Sequence, residues 1–137
     1  MDRRFIIAGL IFALSAVVLG AFGAHALKSL VTLDRLNAYE TAVRYQFYHA
    51  FALMFWGLFI QKRSIQASRY NKMIFYLLLS GVFLFSGSIY LLVLRVPLNI
   101  EGWVSLIGPL TPIGGMLLIF GWAIMLFDVI KGDKDTN

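Results

Sequence analysis

Phe47-Tyr-His-Ala-Phe-Ala-Leu-Met-Phe-Trp-Gly-Leu-Phe-Ile60 is an apolar run of 14 residues with one ionisable side chain, His49. As a helix it reaches about 21 Å at 1.5 Å per residue, against a hydrocarbon core of about 30 Å. It must therefore lie flat on a membrane or borrow length from its neighbours. A flat interfacial helix needs a polar face, and Phe51-Ala-Leu-Met-Phe-Trp-Gly-Leu-Phe-Ile60 has none. The upstream stretch supplies the length. Asp34 is suited to an N-cap, neither Pro nor Gly occurs from Asp34 to Trp56, and Glu40 and Arg44 stand at i,i+4. The expectation is one helix from about Asp34 to Gln61, polar and interfacial in its first half and embedded in its second, with a span over about 43–61.

Three further apolar stretches flank it. Phe5 to Ala24 holds 20 residues without a charge, eleven of them Phe, Ile, Leu or Val. At roughly −0.3 to −0.6 kcal/mol each, these contribute about −3 to −7 kcal/mol to insertion. Arg3, Arg4 and Ala24-His25-Ala26 imitate a signal peptide, but the apolar core of such a peptide is only about 7 to 15 residues long, so a span over 5–27 is expected. Met73 to Leu94 is uncharged throughout, giving a span over 72–94. Thr111-Pro112 reads as an N-cap followed by proline at the first helical position, so the last span is placed at 112–130. Arg95 to Leu110 then forms an external connection, with a short interfacial helix anchored by Trp103.

Composition agrees with this outline. The 137 residues are 60% hydrophobic, 15% aromatic and 14% charged, with mean hydropathy +0.79. A soluble domain carries roughly a quarter charged residues. Four spans of about 20 residues leave room only for short connections, so residues 1–137 form a single transmembrane domain. Cysteine is absent, which removes disulfides, thiolate metal sites and cysteine nucleophiles. The net charge of +5 is read as a topology signal and not as a nucleic-acid footprint.

With four spans, Arg3, Arg4, Lys62, Arg63, Arg69, Lys72, Lys131 and Lys134 fall on one side, and Lys28, Arg35, Arg44 and Arg95 on the other. The positive-inside rule then puts both termini and the Gln61–Lys72 loop in the cytoplasm. A three-span arrangement also satisfies the charge rule, with the N-terminus outside, and is set aside because the second segment lacks a polar face. Small residues let helix backbones approach in lipid. Gly9, Ala13, Ala16, Gly20 and Gly23 form one stripe, and Gly81 with Ser88, Ser80 with Gly87 beside them, and Gly114 with Gly121 repeat at heptad spacing. The fold expected is an all-α, compact four-helix transmembrane bundle with both termini inside. The stripes are assigned to packing within the chain in preference to dimerisation.

Chemistry-bearing residues are few. The two histidines are expected at one depth, so His25, Glu40, Arg44, Tyr45 and His49 could meet as a polar cluster near the outer leaflet. As a metal site the set lacks a second His on one helix. As a proton or solute path it lies near the interface, where ionisable groups are cheap. The preferred reading is structural, with Tyr39, Tyr45 and Tyr48 in an aromatic belt. Ser86 and Ser88 are expected to bond a backbone carbonyl or a neighbouring helix. No catalytic, cofactor-binding or metal-binding residue is assigned, because Gly-x-Ser-x-Gly, His-Glu-x-x-His and phosphate-cradling loops are all missing. The mid-span positions hold no Asp, Glu, Lys or Arg, which weighs against an ion-coupled pump.

Gly20-Ala-Phe-Gly-Ala-His-Ala26, Tyr45-Gln-Phe-Tyr-His-Ala50, Phe85-Ser-Gly-Ser-Ile-Tyr90, Thr111-Pro-Ile-Gly-Gly115 and Gly121-Trp122 together resemble the YgdD/YwdK family. These are small multi-pass bacterial inner-membrane proteins of unknown function, with eukaryotic transmembrane relatives. The resemblance implies a multi-pass protein of the cell membrane and supplies no substrate, cofactor or catalytic residue. The expected function is a non-enzymatic bundle in contact with membrane lipids, acting as a partner or assembly component through a membrane-protein partner or self-association. The alternative is a small channel or transporter using the histidine-containing cluster.

Overall fold

A computed structural model describes residues 3–62 and 70–134. Helices α1 (Arg3–His25), α2 (Leu33–Lys62), α3 (Asn71–Val93), α4 (Val104–Ile107) and α5 (Leu110–Lys134) follow one another, with 3₁₀ turns at Leu27–Ser29 and Glu101–Trp103 and no strand among the described residues. The expected Gln61–Lys72 loop falls largely on 63–69, which lie outside the described residues. Three stretches, Arg3–Ser29, Asn71–Val93 and Glu101–Lys131, are long and apolar enough to cross a membrane. The polar first half of α2 keeps that helix below the same threshold, as its short apolar run foretells.

Glycine fixes the register of the bundle. A Cβ on Gly9 would stand 2.5 Å from Met54 Cγ and 2.7 Å from the Ala50 carbonyl oxygen, and one on Gly23 would stand 2.8 Å from the Tyr39 ring. Gly20 faces Val43, and Gly57 of α2 faces Phe5. These pairs run in opposite senses along the two helices, so α2 lies antiparallel to α1 through the whole thickness that α1 covers. On the other side Gly81 meets Leu118, Gly121 meets Leu78, and Gly114 sits against the backbone of Leu84 and Phe85. The α3–α5 pair is antiparallel too. In lipid, such close approach supplies the van der Waals contact that the hydrophobic effect supplies in water.

Gly9, Gly20, Gly23, Gly81, Gly114 and Gly121 therefore each meet a side chain or backbone of their own chain and Ser88 meets Thr111, whereas Gly87 has no neighbour within 4 Å of an added Cβ. α1 packs chiefly on α2 and α5 on α3, while α2 and α3 join the two pairs. Phe5 and Phe12 reach Phe75 and Phe83 of α3 through edge-to-face rings 5.1 and 5.4 Å apart. The N-terminus of α1 and the C-terminus of α5 thus emerge at the same end. Leu53, Trp56, Ile74, Leu78 and Leu118 fill the centre.

Three sequence expectations are corrected. Asp34 lies inside the first turn of α2, because the Leu36 amide already bonds the Thr32 carbonyl at 3.0 Å. Thr111 is not the cap of the last helix. That helix starts at Leu110, with the Ile113 amide on the Pro109 carbonyl at 3.4 Å, and the Thr111 hydroxyl turns sideways to α3. Pro112 falls in the first turn, where no helical N–H is needed. Finally, the first half of α2 is not wholly interfacial. Tyr39 stands level with Gly23 and Val43 with Gly20, so with α1 ending at His25 only the residues up to Leu36 project past α1.

Candidate functional site

Tyr39, Ala42, Gln46, Ala50 and Leu53 are buried on one face of α2, at spacings that keep them in line along a helix. Gln46 is thereby carried into the bundle opposite the middle of α1. Its Nε2 donates to the Phe12 carbonyl at 2.9 Å and to Ser15 Oγ at 2.7 Å. Its Oε1 accepts from the Tyr90 hydroxyl at 2.9 Å. One amide thus ties α1, α2 and α3 together.

Further neutral bonds extend this core. Tyr39 donates to the Leu19 carbonyl at 2.9 Å and its ring centroid lies 5.0 Å from that of Tyr90. Ser86 donates to the Ala42 carbonyl of α2 at 2.9 Å. Ser88 and Thr111 share a hydrogen bond at 2.7 Å between α3 and α5. Among the described residues every buried side-chain nitrogen or oxygen has a partner, as a low-dielectric interior demands.

His49 closes the α2–α5 side. Its Nδ1 lies 2.7 Å from the Tyr45 carbonyl, and Trp122 Nε1 lies 3.2 Å from its Nε2. The indole can only donate and the carbonyl can only accept. The ring is therefore the neutral tautomer with its hydrogen on Nδ1, and both nitrogens are committed. A base for a nucleophile needs a free nitrogen beside that nucleophile, and His49 offers neither.

The expected outer-leaflet cluster is brought together only in part. Tyr45 stacks on His49 at 6.2 Å, and Arg44 reaches Thr41 Oγ1 at 3.2 Å and the Glu40 carbonyl at 3.4 Å. Glu40 and Arg44 are exposed on the outer side of α2, whereas His49 is buried. His25 is exposed at the end of α1. His49 lies between Met54, which faces Gly9, and Val43, which faces Gly20. The two histidines are consequently separated along the bundle by on the order of 16 Å of helix rise, not placed at one depth. The reason is the register: the glycine contacts slide the polar half of α2 down alongside α1. Among the described residues no group of three His, Cys, Asp or Glu is arranged to hold a metal ion.

Gln46, Tyr90 and Trp122 carry the polar core and were given no role from sequence. Gln46 was detectable, since Tyr39, Ala42, Gln46, Ala50 and Leu53 recur at helical spacing and make it the polar member of an otherwise apolar face. Trp122 was not, because its partner is 73 residues away and only the three-dimensional register unites them.

Comparison with known proteins agrees with this architecture. Residues 19–115 match the family described as "Protein of unknown function (DUF423)". The chain is 38% identical over 129 residues to UPF0382 membrane protein SAB0533 of Staphylococcus aureus (strain bovine RF122 / ET3-1), covering 94% of this chain and 97% of that protein. It is 36% identical over 129 residues to UPF0382 membrane protein YwdK of Bacillus subtilis (strain 168), covering 94% and 98%. No solved structure matches the chain.

Proposed function

This chain belongs to the DUF423 family, whose relatives named above are membrane proteins, and on that footing we propose that it is a non-enzymatic assembly component of the cell membrane. One observation carries the reading. Asn37, Glu40, Arg44 and Tyr48 are all exposed and form a continuous stripe on the outer side of α2, while the exposed residues of α1 level with Glu40 to Tyr48 are Leu14, Val17, Val18, Ala21 and Phe22, all apolar, with His25 exposed only at the very end of α1. Ionisable residues in membrane helices usually face a bundle interior or water. Here they face outward, and a polar surface on another membrane protein would satisfy them. Apart from Gly87, the small-residue stripes are occupied within the chain, so α2 supplies the face for assembly. The eight-to-four division of Lys and Arg favours a cytoplasmic position for both termini.

The native chain contains no cysteine, so single thiols can be placed at will. Glu40→Cys, Arg44→Cys and Tyr48→Cys, each labelled with a maleimide-benzophenone whose photoactivated ketone inserts into C–H bonds of any neighbour, are expected to form crosslinked adducts in native membranes, while Leu14→Cys and Val18→Cys on α1 stay monomeric. Absence of adducts from all three α2 positions, or equal yields from α1, overturns the reading.

A further inference from the structure

The exposed stripe of α2 continues beyond its charged residues. Arg44, Phe51 and Leu58 are exposed seven residues apart, and Tyr48 and Phe55 alternate with them at the same interval. A repeat of 3.5 residues stays in line along a second helix that winds slowly around the first. At the head of the stripe stand two charges that do not neutralise each other. Arg44 turns its Nε and Nη2 back to the Glu40 carbonyl and to Thr41 Oγ1, at 3.4 and 3.2 Å. The exposed Glu40 carboxylate is thereby left without a cation among the described residues, and the other N–H groups of Arg44 stay available as donors.

The remaining long helices do not answer these charges. α1 from Phe5 onward, α3 from Met73 onward and α5 as far as Phe127 contain no Asp, Glu, Lys or Arg. A carboxylate and a guanidinium one helical turn apart stand on α2 alone, and a second α2 meets them with the opposite charges. We propose that the assembly partner is a second copy of this chain, held α2 to α2 by two reciprocal Glu40–Arg44 ion pairs. This rests on the assembly reading of the α2 stripe and names its occupant. A two-fold axis along the membrane normal keeps both copies in one orientation and makes the contact isologous, so the pair occurs twice. Glu40 and Arg44 differ by about 6 Å of helix rise, which the long arginine side chain spans, and the four charges sum to zero. Further along, Phe51, Phe55 and Leu58 of the two copies face each other and supply the van der Waals contact on which helix association in lipid depends.

The test expresses two differently tagged copies of the full chain together, each carrying Phe51→Cys, and treats native membranes with a lipid-soluble copper oxidant. A disulfide-linked dimer bearing both tags is expected, with far less from Phe83→Cys on the exposed side of α3. Glu40→Arg in both copies, or Arg44→Glu in both, brings like charges together and should lower the yield about tenfold. Glu40→Arg in one copy with Arg44→Glu in the other restores opposite charges and should return the native yield, which a misfolded variant could not do. Native yield from the like-charged copies overturns the proposal, as does a mixed pair that stays as low as they do, or a Phe83→Cys yield equal to that of Phe51→Cys. Benzophenone adducts of Glu40→Cys, Arg44→Cys and Tyr48→Cys at masses other than twice the chain, with no linked pair from Phe51→Cys, identify a different membrane protein as the partner. That result overturns the second copy and leaves the assembly reading standing, whereas no adduct of either kind overturns both.

Discussion

At the scale of single residues, the bundle interior is polar without being charged. Gln46 satisfies three partners on two neighbouring helices, and its loss would leave the Ser15 and Tyr90 hydroxyls short of their contacts. Interhelical hydrogen bonds in lipid contribute about 0.6 kcal/mol each on average. Gln46→Ala should accordingly lower the free energy of unfolding in mixed detergent micelles by about 1–2 kcal/mol, and an unchanged value would contradict the role assigned to it. For His49 the readout is spectroscopic. Side-chain ¹⁵N resonances should show the hydrogen on Nδ1 and a bare, hydrogen-bonded Nε2. Trp122→Phe should remove the hydrogen-bond shift at Nε2 and leave Nδ1 in place, since Trp122 is 48% exposed and holds the ring from the lipid side.

At the scale of elements, the helices of this protein were legible and their mutual register was not. The uncharged runs Phe5–Ala24 and Met73–Leu94 announce α1 and α3 because nothing within them opposes insertion. The long continuous α2 follows from the absence of Pro and Gly between Asp34 and Trp56. The depth of His49 is not legible in the sequence, because hydropathy places a helix against a membrane while contact places it against another helix, and here Gly9 and Gly23 govern the contact. Glycines that look alike in sequence also differ in consequence. A methyl on Gly114 would collide with the backbone of Phe85, which cannot step aside, whereas one on Gly87 meets open space. Gly114→Ala should destabilise by about 1–3 kcal/mol, as overpacking does, and Gly87→Ala by less than about 0.5 kcal/mol. Thermal unfolding followed by size-exclusion chromatography ranks the two, and the reverse order would show that the register is misassigned.

At the scale of the whole molecule, four helices alternate in direction and bring both chain ends to one end of the bundle. Reporter fusions should locate the N- and C-termini on the same side of the membrane, and the proposed orientation, argued from the surplus of Lys and Arg there, predicts that this side is the cytoplasm. A reporter active only outside the cytoplasm when fused to the N-terminus would refute the assignment. In the connection between α3 and α5, Trp103 is 60% exposed beside the 3₁₀ turn and α4, an exposure that suits an aromatic ring at the headgroup level. Internally, the closest packing lies within α1–α2 and within α3–α5, that is, between successive long helices of the sequence, the short α4 lying in the second connection. Each hairpin can therefore complete most of its contacts while its own residues are still leaving the ribosome, and the first need not wait for the second. This arrangement predicts two successive insertions and one late lateral docking, with the Gln46–Tyr90 and Ser86–Ala42 bonds forming last.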